Sequence, residues 1–315
     1  MNRVSNRSNK SVVSLPKYSL RSHEPRVTNH EPRKEINNLS KFSMKLGHSP
    51  DPDDAFMFYG MASGKVVSDK IDFIHVIEDI QTLNKRALNG ELEVTAISVH
   101  AYLHVQDKYR ILSCGASMGE GYGPIVVAKE PLDGLKRKKV GVPGKLTTAF
   151  LLLSLYADGF VPVELPFDKV MEAVRDDEVE AGLIIHEGQL TYKDLGLTMI
   201  IDLGEAWAKD TSLPLPLGIN TVRRDIEQGL QKEILRVHRE SIEYGLSHKD
   251  EALEYALRFG RGMKKDLGEK FVLMYVNQYT RDMGEKGKKA LGFLFTKAFQ
   301  KGIVREKVKL DILEG

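Results

Sequence analysis

The chain has 315 residues and an ordinary hydrophobic content of 42%, and this length predicts two domains rather than one. Its single cysteine, Cys114, excludes an intrachain disulfide and a metal site built on several cysteines. The formal net charge is +2, but the basic excess lies in the first 43 residues, and the remainder holds 37 basic and 41 acidic side chains. This balance argues against nucleic acid as a partner. No apolar stretch approaches the roughly 20 residues that cross a bilayer, which argues against a membrane protein.

Residues 1–43 differ in composition from the rest of the chain. They are rich in Ser, Asn, Arg and Lys without apolar periodicity, which is typical of disorder. They also lack the apolar segment of a secretory signal peptide, because Val12 and Val13 are followed by Ser14 and Pro16. We therefore expect a cytoplasmic protein. Translation from Met44 is the simplest explanation of the extension, and a polybasic arm or an organelle transit peptide is the alternative.

After residue 43 the sequence alternates short apolar strands with helices, as in an α/β domain. The first strand, 44–46, leads through a turn rich in Pro and Asp to a helix over 55–62. Further strands are predicted over 71–77, 94–98 and 123–128, and further helices over 79–90 and 102–105.

A second α/β unit is predicted over residues 132–215, with strands at 139–142, 161–165, 181–185 and 200–201 and helices at 147–157 and 167–175. The run 213–220 contains two prolines, too many for a central strand, so we interpret it as the crossover back to the first domain. Beyond Asp225 the pattern is helical to about Gln300. The predicted architecture is one large domain of residues 44–131 and 216–315 and a small domain of 132–215, with a ligand cleft between the two lobes.

The strand ending at Ile185 delivers His186 and Glu187 to the edge of a sheet where ligands commonly bind. A neutral imidazole in a closing cleft is a suitable general base near pH 7. The alternative is a core histidine that bonds a backbone carbonyl. Adjacent strand residues point to opposite faces, so we expect Glu187 to cap the next helix instead.

Three other segments offer ligand-binding groups at predicted strand ends or helix starts. Thr147 and Thr148 follow Gly144 at the start of a helix, where free backbone N–H groups suit a carboxylate. Ser98 ends an apolar strand, and Ser49 lies in the turn of residues 47–54. Helix capping would account for either serine as well as ligand binding does.

Signatures of other catalytic chemistry are missing from the sequence. The spacing of a P-loop and the nucleophile elbow GxSxG do not occur. His48, Asp51 and Asp53 are close in sequence, but the prolines between them indicate a stiff turn rather than a cage for a divalent cation. We therefore predict no metal site.

Six strings in this order resemble the 1,4-dihydroxy-6-naphthoate synthase family of the futalosine route to menaquinone. They are GHSPDPDDAFMFY (47–59), EDIQTLNKRAL (78–88), GYGPIVVAK (121–129), GKLTTAFLLLSLYADGFVPVE (144–164), EAGLIIHE (180–187) and LPLPLGIN (213–220). The resemblance extends from Met44 to about Gln300. It implies a two-lobed fold of the type II periplasmic-binding-protein kind, which agrees with the architecture predicted above.

The resemblance also implies an activity. The family converts cyclic dehypoxanthine futalosine to 1,4-dihydroxy-6-naphthoate and releases a dihydroxyacetone fragment, a carbon–carbon lyase reaction without an organic cofactor or a metal. By the same resemblance His186 matches the proposed catalytic base. Thr147 and Thr148 match hydroxyl residues of the substrate pocket, and Ser49 and Ser98 match positions that line it. The implied partner is a small substrate with a carboxylate, whereas the oligomeric state is left open.

One motif departs from the family. Members often have Cys or Asp followed by Pro-Asn-Asp, whereas this chain has Asp51-Pro52-Asp53-Asp54. The additional carboxylate at Asp53 would repel an anionic substrate, so Asp53 either points away or alters the substrate preference.

Two alternatives to this enzyme share its fold. A solute-binding protein would need an export signal or a lipid-attachment cysteine, and the chain start offers neither. A chorismate dehydratase of the same pathway is disfavoured by the string GLIIHE.

Overall fold

The computed structural model describes residues 41–259 and 264–315, which are organised around two β-sheets. Predictions for residues 1–40 lie outside the described residues. The first strand begins at Phe42, two positions before the predicted Met44, because Phe42 pairs with Ile71 of the neighbouring strand. Residues 42 and 43 therefore belong to the sheet and not to the predicted disordered extension.

The strands, in chain order, are β1 Phe42–His48, β2 Ile71–Ile77, β3 Val94–Ser98, β4 Tyr109–Leu112, β5 Ser117–Gly119, β6 Ile125–Ala128, β7 Lys139–Val142, β8 Val161–Glu164, β9 Ala181–Ile184, β10 Thr198–Asp202, β11 Leu215–Arg223 and β12 Ile312–Leu313. The helices are α1 Pro52–Met57, α2 Tyr59–Ala62, α3 Ile80–Leu88, α4 Val99–Tyr102, α5 Thr148–Tyr156, α6 Val170–Arg175, α7 Gly188–Thr191, α8 Leu203–Thr211, α9 Gln228–Ser247, α10 Lys249–Leu257, α11 Lys265–Tyr275, α12 Gln278–Arg281 and α13 Gly284–Gln300. Short 3₁₀ turns lie at Phe167–Lys169 and Tyr192–Leu195. The predicted α/β class and the helical C-terminal part are confirmed.

The first sheet has the order β12-β4-β11-β3-β1-β2, with β5 pairing to β11. Its centre corrects a prediction, because most of the run 213–220, which was not expected to form a central strand, is the start of β11. Pro216 lies where the register with β5 shifts, and the residues that pair with β3, Gly218 to Val222, come after both prolines. The prolines therefore remove no hydrogen bond from the ladder between β11 and β3.

The second sheet has the order β10-β6-β9-β7-β8. Its strand β6, predicted to belong to the first domain, pairs antiparallel with β9 from Ile125 opposite Ile184. The sheet therefore begins before the predicted boundary at residue 132. An apolar run identifies a strand, but it does not identify the sheet that the strand joins.

Helix α5 lies where the two sheets meet. It contacts β9 of the second sheet and β11, α4 and α13 around the first. Leu151, Leu152 and Leu153 are all fully buried, so the middle of the helix is surrounded by protein. Burial of one such side chain contributes about 1.5–3 kcal/mol, which fixes α5 firmly in this position. No helix among the described residues combines the length and the apolar character that crossing a membrane requires.

Candidate active site

A cleft between the two sheets contains a cavity of about 110 Å³. All five site residues predicted from the sequence line it, namely Ser49, Ser98, Thr147, Thr148 and His186. The turn between β1 and α1 and the end of β3 line it from the first sheet, and the end of β9 lines it from the second. The start of α5 completes the lining where the two sheets meet. Strands from two sheets thus deliver these polar groups to one space.

The turn between β1 and α1 forms an acidic wall of the cleft. Asp51, Asp53 and Asp54 all line it and are all buried. The Ser49 backbone N–H donates to Oδ2 of Asp54 at 2.8 Å, and the Ser49 hydroxyl donates to Oδ2 of Asp51 at 2.7 Å. Burial raises the pKa of Asp54, although its hydrogen bond from Ser49 opposes that effect. Of the described residues that line the cleft, none is Lys or Arg.

His48, at the start of the same turn, faces away from the cleft. Its Nε2 lies 3.0 Å from Nδ1 of His75, and its Nδ1 lies 3.0 Å from the carbonyl oxygen of Ser49. Its ring stacks on Phe58 with centroids 4.5 Å apart. Burial, followed by the charge of His75, lowers the pKa of His48 to about 3. His48 therefore supports the turn on the side away from the cleft. Within the described residues no three ligating side chains come close enough to hold a metal ion.

His186 follows β9 and projects towards the acidic wall. Its backbone has φ +55°, a left-handed conformation that is uncommon outside glycine. Such conformations cluster at functional sites. Its Nε2 lies 3.4 Å from Oδ2 of Asp51, which belongs to the opposite lobe. The edge of Phe167 packs against the ring with centroids 5.0 Å apart. The imidazole thus sits between an aromatic ring and a buried carboxylate.

Glu187 does not cap the following helix, so that prediction was wrong. It precedes α7, but its side chain makes no capping hydrogen bond to it. The backbone of Glu187 is helical (φ −60°, ψ −21°). A capping residue usually has an extended backbone, and this conformation turns the side chain towards the first N–H groups of the helix.

Thr147 is the N-cap of α5. Its hydroxyl accepts from the Phe150 N–H at 3.2 Å and donates to the Gly144 carbonyl at 2.8 Å. Thr148 donates through its hydroxyl to the carbonyl of Leu217 on β11. Both hydroxyls therefore have structural partners as well as a place in the cleft wall.

The start of α5 is bonded further to helices beside the first sheet. The Leu146 N–H donates to Oε1 of Gln81 on α3 at 3.3 Å. Asn84, also on α3, donates to the Leu146 carbonyl at 3.4 Å, and His100 Nδ1 on α4 lies 3.3 Å from the Thr147 carbonyl. These bonds fix the helix terminus beside the first sheet.

Ser98 is bound to Asn84 in both directions. Its backbone N–H donates to Oδ1 of Asn84 at 2.8 Å, and its hydroxyl oxygen accepts from Nδ2 of Asn84 at 3.0 Å. A serine hydroxyl has one proton to donate, and neither bond uses it. Ser98 is thus oriented by Asn84 while keeping a donor for a ligand.

Sequence reasoning missed an aromatic wall from α11. Phe271 and Tyr275 line the cleft, and the Tyr275 hydroxyl donates to Oε1 of Gln189 on α7 at 3.0 Å. Asn220 also lines the cleft and donates to the carbonyl of Gly115 at 2.8 Å. The helical pattern of α11 indicated a buried face, but it did not indicate that this face lines a cleft. Asn220 was missed because it belongs to the run 213–220, which was interpreted as a crossover.

Comparison with known proteins gives a consistent result over most of the chain. Residues 44–300 match the family model described as menaquinone biosynthesis. A 1,4-dihydroxy-6-naphthoate synthase of Thermus thermophilus is 44% identical over 261 residues, which cover 83% of this chain and 96% of the relative. The enzyme of the same name from Streptomyces coelicolor is 34% identical over 273 residues, covering 84% and 96%.

Solved structures give the fold. A crystal structure of an Archaeoglobus fulgidus protein is 52% identical, with a TM-score of 0.81 over 83% of this chain and 98% of that chain. A Candida albicans protein described as having the generic periplasmic binding protein fold is 15% identical, with a TM-score of 0.63 over 87% of this chain and 98% of that chain. The second likeness concerns the fold alone, and it confirms the predicted two-lobed α/β architecture.

Proposed function

The chain belongs to the menaquinone-biosynthesis family of 1,4-dihydroxy-6-naphthoate synthases, and on that premise we propose that it cleaves cyclic dehypoxanthine futalosine to 1,4-dihydroxy-6-naphthoate and a dihydroxyacetone fragment. It is an enzyme of menaquinone biosynthesis, and its reaction class is that of a carbon–carbon lyase. The observation that carries this proposal is the pairing of His186 with Asp51 across the cleft.

The pairing suits proton removal. A neutral imidazole carries one proton, and a carboxylate facing Nε2 favours the proton there. Nδ1 of His186 is then the nitrogen that accepts a proton from the substrate. When that proton leaves a substrate hydroxyl group, the electron pair of the O–H bond forms the carbonyl group of the released fragment. The electron pair of the breaking carbon–carbon bond then moves onto the adjacent carbonyl group, which becomes an enolate on the way to the aromatic product.

Other groups of the cleft suit the rest of the substrate. At the start of α5 the Phe150 N–H donates to Thr147, whereas the N–H groups of Thr148 and Ala149 have no helical acceptors. With the donor of Ser98 they form a site for the substrate carboxylate. Phe271 and Tyr275 offer flat apolar surface for a ring system. These contacts would fix the breaking bond relative to His186, which lowers the entropic cost of reaction.

The test is incubation of the purified full-length chain with cyclic dehypoxanthine futalosine in EDTA, with products followed by mass spectrometry. We expect 1,4-dihydroxy-6-naphthoate, and the same incubation with a His186→Ala variant is the control. Tight binding without turnover by the wild type would contradict the proposal and favour a solute-binding role. Turnover of chorismate instead would assign the chain to the other enzyme with this fold.

A further inference from the structure

Asp53 is a buried carboxyl group of the cleft that the proposed mechanism has not used. It is 9% exposed and lies in the first turn of α1. The charged and titratable groups around it are Asp51 and Asp54 from its own turn, His186 from the end of β9 and Tyr275 from α11. Two of these neighbours are carboxyl groups as well, so the ionisation of all three would bring like charges together in a poorly hydrated space.

The three carboxyl groups differ in the hydrogen bonds that stabilise a negative charge. Asp54 accepts a backbone N–H at 2.8 Å, and Asp51 accepts a hydroxyl at 2.7 Å and faces His186. Asp53 receives its own backbone N–H and a long bond of 3.4 Å from the Ser117 hydroxyl. Because hydrogen bonds to the charged form favour ionisation, Asp53 retains its proton more readily than Asp54 does.

We propose that Asp53 works as a neutral carboxylic acid, whose O–H donates a hydrogen bond to the substrate oxygen that becomes negative when His186 removes a proton. The inference rests on the proposed function and adds a catalytic residue to it. His186 gains one proton, and the electron pair of the broken bond resides on the enolate oxygen beside Asp53. If the proton of Asp53 passes to that oxygen, the proton on His186 restores Asp53 after product release, and the charges balance.

The electrostatics of the cleft agree with this geometry. Burial, followed by the charges of Asp54 and Asp51, raises the pKa of Asp53 to about 8, while His186 acts in the opposite direction. Asp53 is therefore protonated at neutral pH and loses its proton as the pH rises through about 8. The neutral form also avoids repulsion of an anionic substrate, whereas the ionised form would repel it.

Two substitutions separate a neutral donor from a required carboxylate. Asp53→Asn keeps a donor without a charge, and Asp53→Ala removes the donor. Loss of one donor to a developing oxyanion typically costs about 10²- to 10³-fold in kcat. We expect that loss of kcat for Asp53→Ala and a much smaller loss for Asp53→Asn. Between pH 7 and 9 the kcat/KM of the wild type should decline, whereas that of Asp53→Asn should not. Asp133→Asn, in an exposed loop, is the matched control and should decline like the wild type.

Three kinetic results would overturn the inference. They are an Asp53→Asn variant as inactive as Asp53→Ala, an Asp53→Ala variant as active as the wild type, and an alkaline decline that persists in Asp53→Asn. Infrared difference spectra of wild type minus Asp53→Asn at pH 7 provide a test without turnover. A carboxylic-acid carbonyl band supports the inference, and a carboxylate pair instead of that band refutes it. This measurement stands even if the wild type fails to turn over the proposed substrate.

Discussion

Oδ2 of Asp51 and Nε2 of His186 lie 3.4 Å apart, although the two residues follow strands of different sheets. The side chain of Asp51 is 3% exposed and that of His186 is 18% exposed, so the contact is largely shielded from water. Electrostatic interactions are stronger in such surroundings than at a surface. In the proposed mechanism Asp51 therefore acts through the orientation and tautomer of His186 and need not touch the substrate.

Replacement of His186 should abolish most of the activity. We expect His186→Ala to lower kcat by about 10²- to 10⁴-fold, the usual contribution of a general base. His186→Asn is the second variant, because Asn tolerates the left-handed backbone at this position. Circular dichroism and thermal melting should show that both variants fold. An exposed histidine, His248, replaced by Ala is the control, and wild-type turnover in His186→Asn would refute the role.

Asp51→Asn should reduce kcat while KM changes little, because in the proposed mechanism Asp51 positions the base rather than the substrate. An asparagine can present its NH₂ group to Nε2 and so reverse the tautomer, and we expect a loss of at least about tenfold in kcat. Nitrogen NMR of labelled histidine reports the tautomer of His186 directly. An unchanged His186 signal in Asp51→Asn, or a rise in KM without a fall in kcat, would contradict this positioning role.

Gly115 is required by a close approach behind the cleft wall. A Cβ atom there would overlap Nε2 of His238 and lie 2.6 Å from Nδ2 of Asn220, and the backbone has φ +79°. Gly121 has a similar φ of +78° with nothing within 4 Å of its Cβ position, so it controls for backbone strain alone. We expect Gly121→Ala to cost about 1 kcal/mol in free energy of unfolding and Gly115→Ala at least about 2 kcal/mol more. Equal denaturant midpoints for the two variants would contradict the steric explanation.

His238 should make the fold sensitive to acid. Burial lowers the pKa of His238 to about 4, and neither ring nitrogen has a hydrogen-bond partner among the described residues. Between pH 6.5 and about 4 the unfolded chain therefore binds a proton here that the folded chain does not, and the contribution of His238 to stability falls with the pH.

His238→Leu removes this proton linkage. Relative to the wild type, the stability of the variant should improve by up to about 1.4 kcal/mol for each unit of pH below 6.5. The measurement is urea unfolding at pH 7, 6 and 5, with His248→Leu as the exposed control. A stability difference between His238→Leu and wild type that stays constant across these pH values would disprove the linkage.

The sequence predicted the fold class and most elements because apolar runs and their periodicity report which residues are buried. It could not predict the sheet that Ile125–Ala128 joins, since antiparallel pairing with Ala181–Ile184 is a long-range choice. It also misassigned the strand at Leu215–Arg223, since composition alone does not reveal that Pro216 falls at a shift of register.

The candidate site was predictable where polar residues end apolar strands, as for Ser98 and His186. The partners of these residues were not predictable. Asn84 orients Ser98 from the middle of a helix, and Tyr275 reaches the cleft from a helix far along the chain. Such contacts depend on how helices are rotated over the sheets, which periodicity indicates only as a buried face.

The bonds at the start of α5 place the proposed carboxylate site on a different lobe from His186. That end of the helix is tied to Gln81, Asn84, His100 and Leu217, which all belong to elements around the first sheet. His186 instead follows a strand of the second sheet. If the lobes rotate against each other, the proposed carboxylate site stays with the first sheet, while His186, the proposed base, moves with the second. A substrate bound at the start of α5 would then keep its position relative to the first sheet. Rotation of the lobes would bring His186 within reach of it.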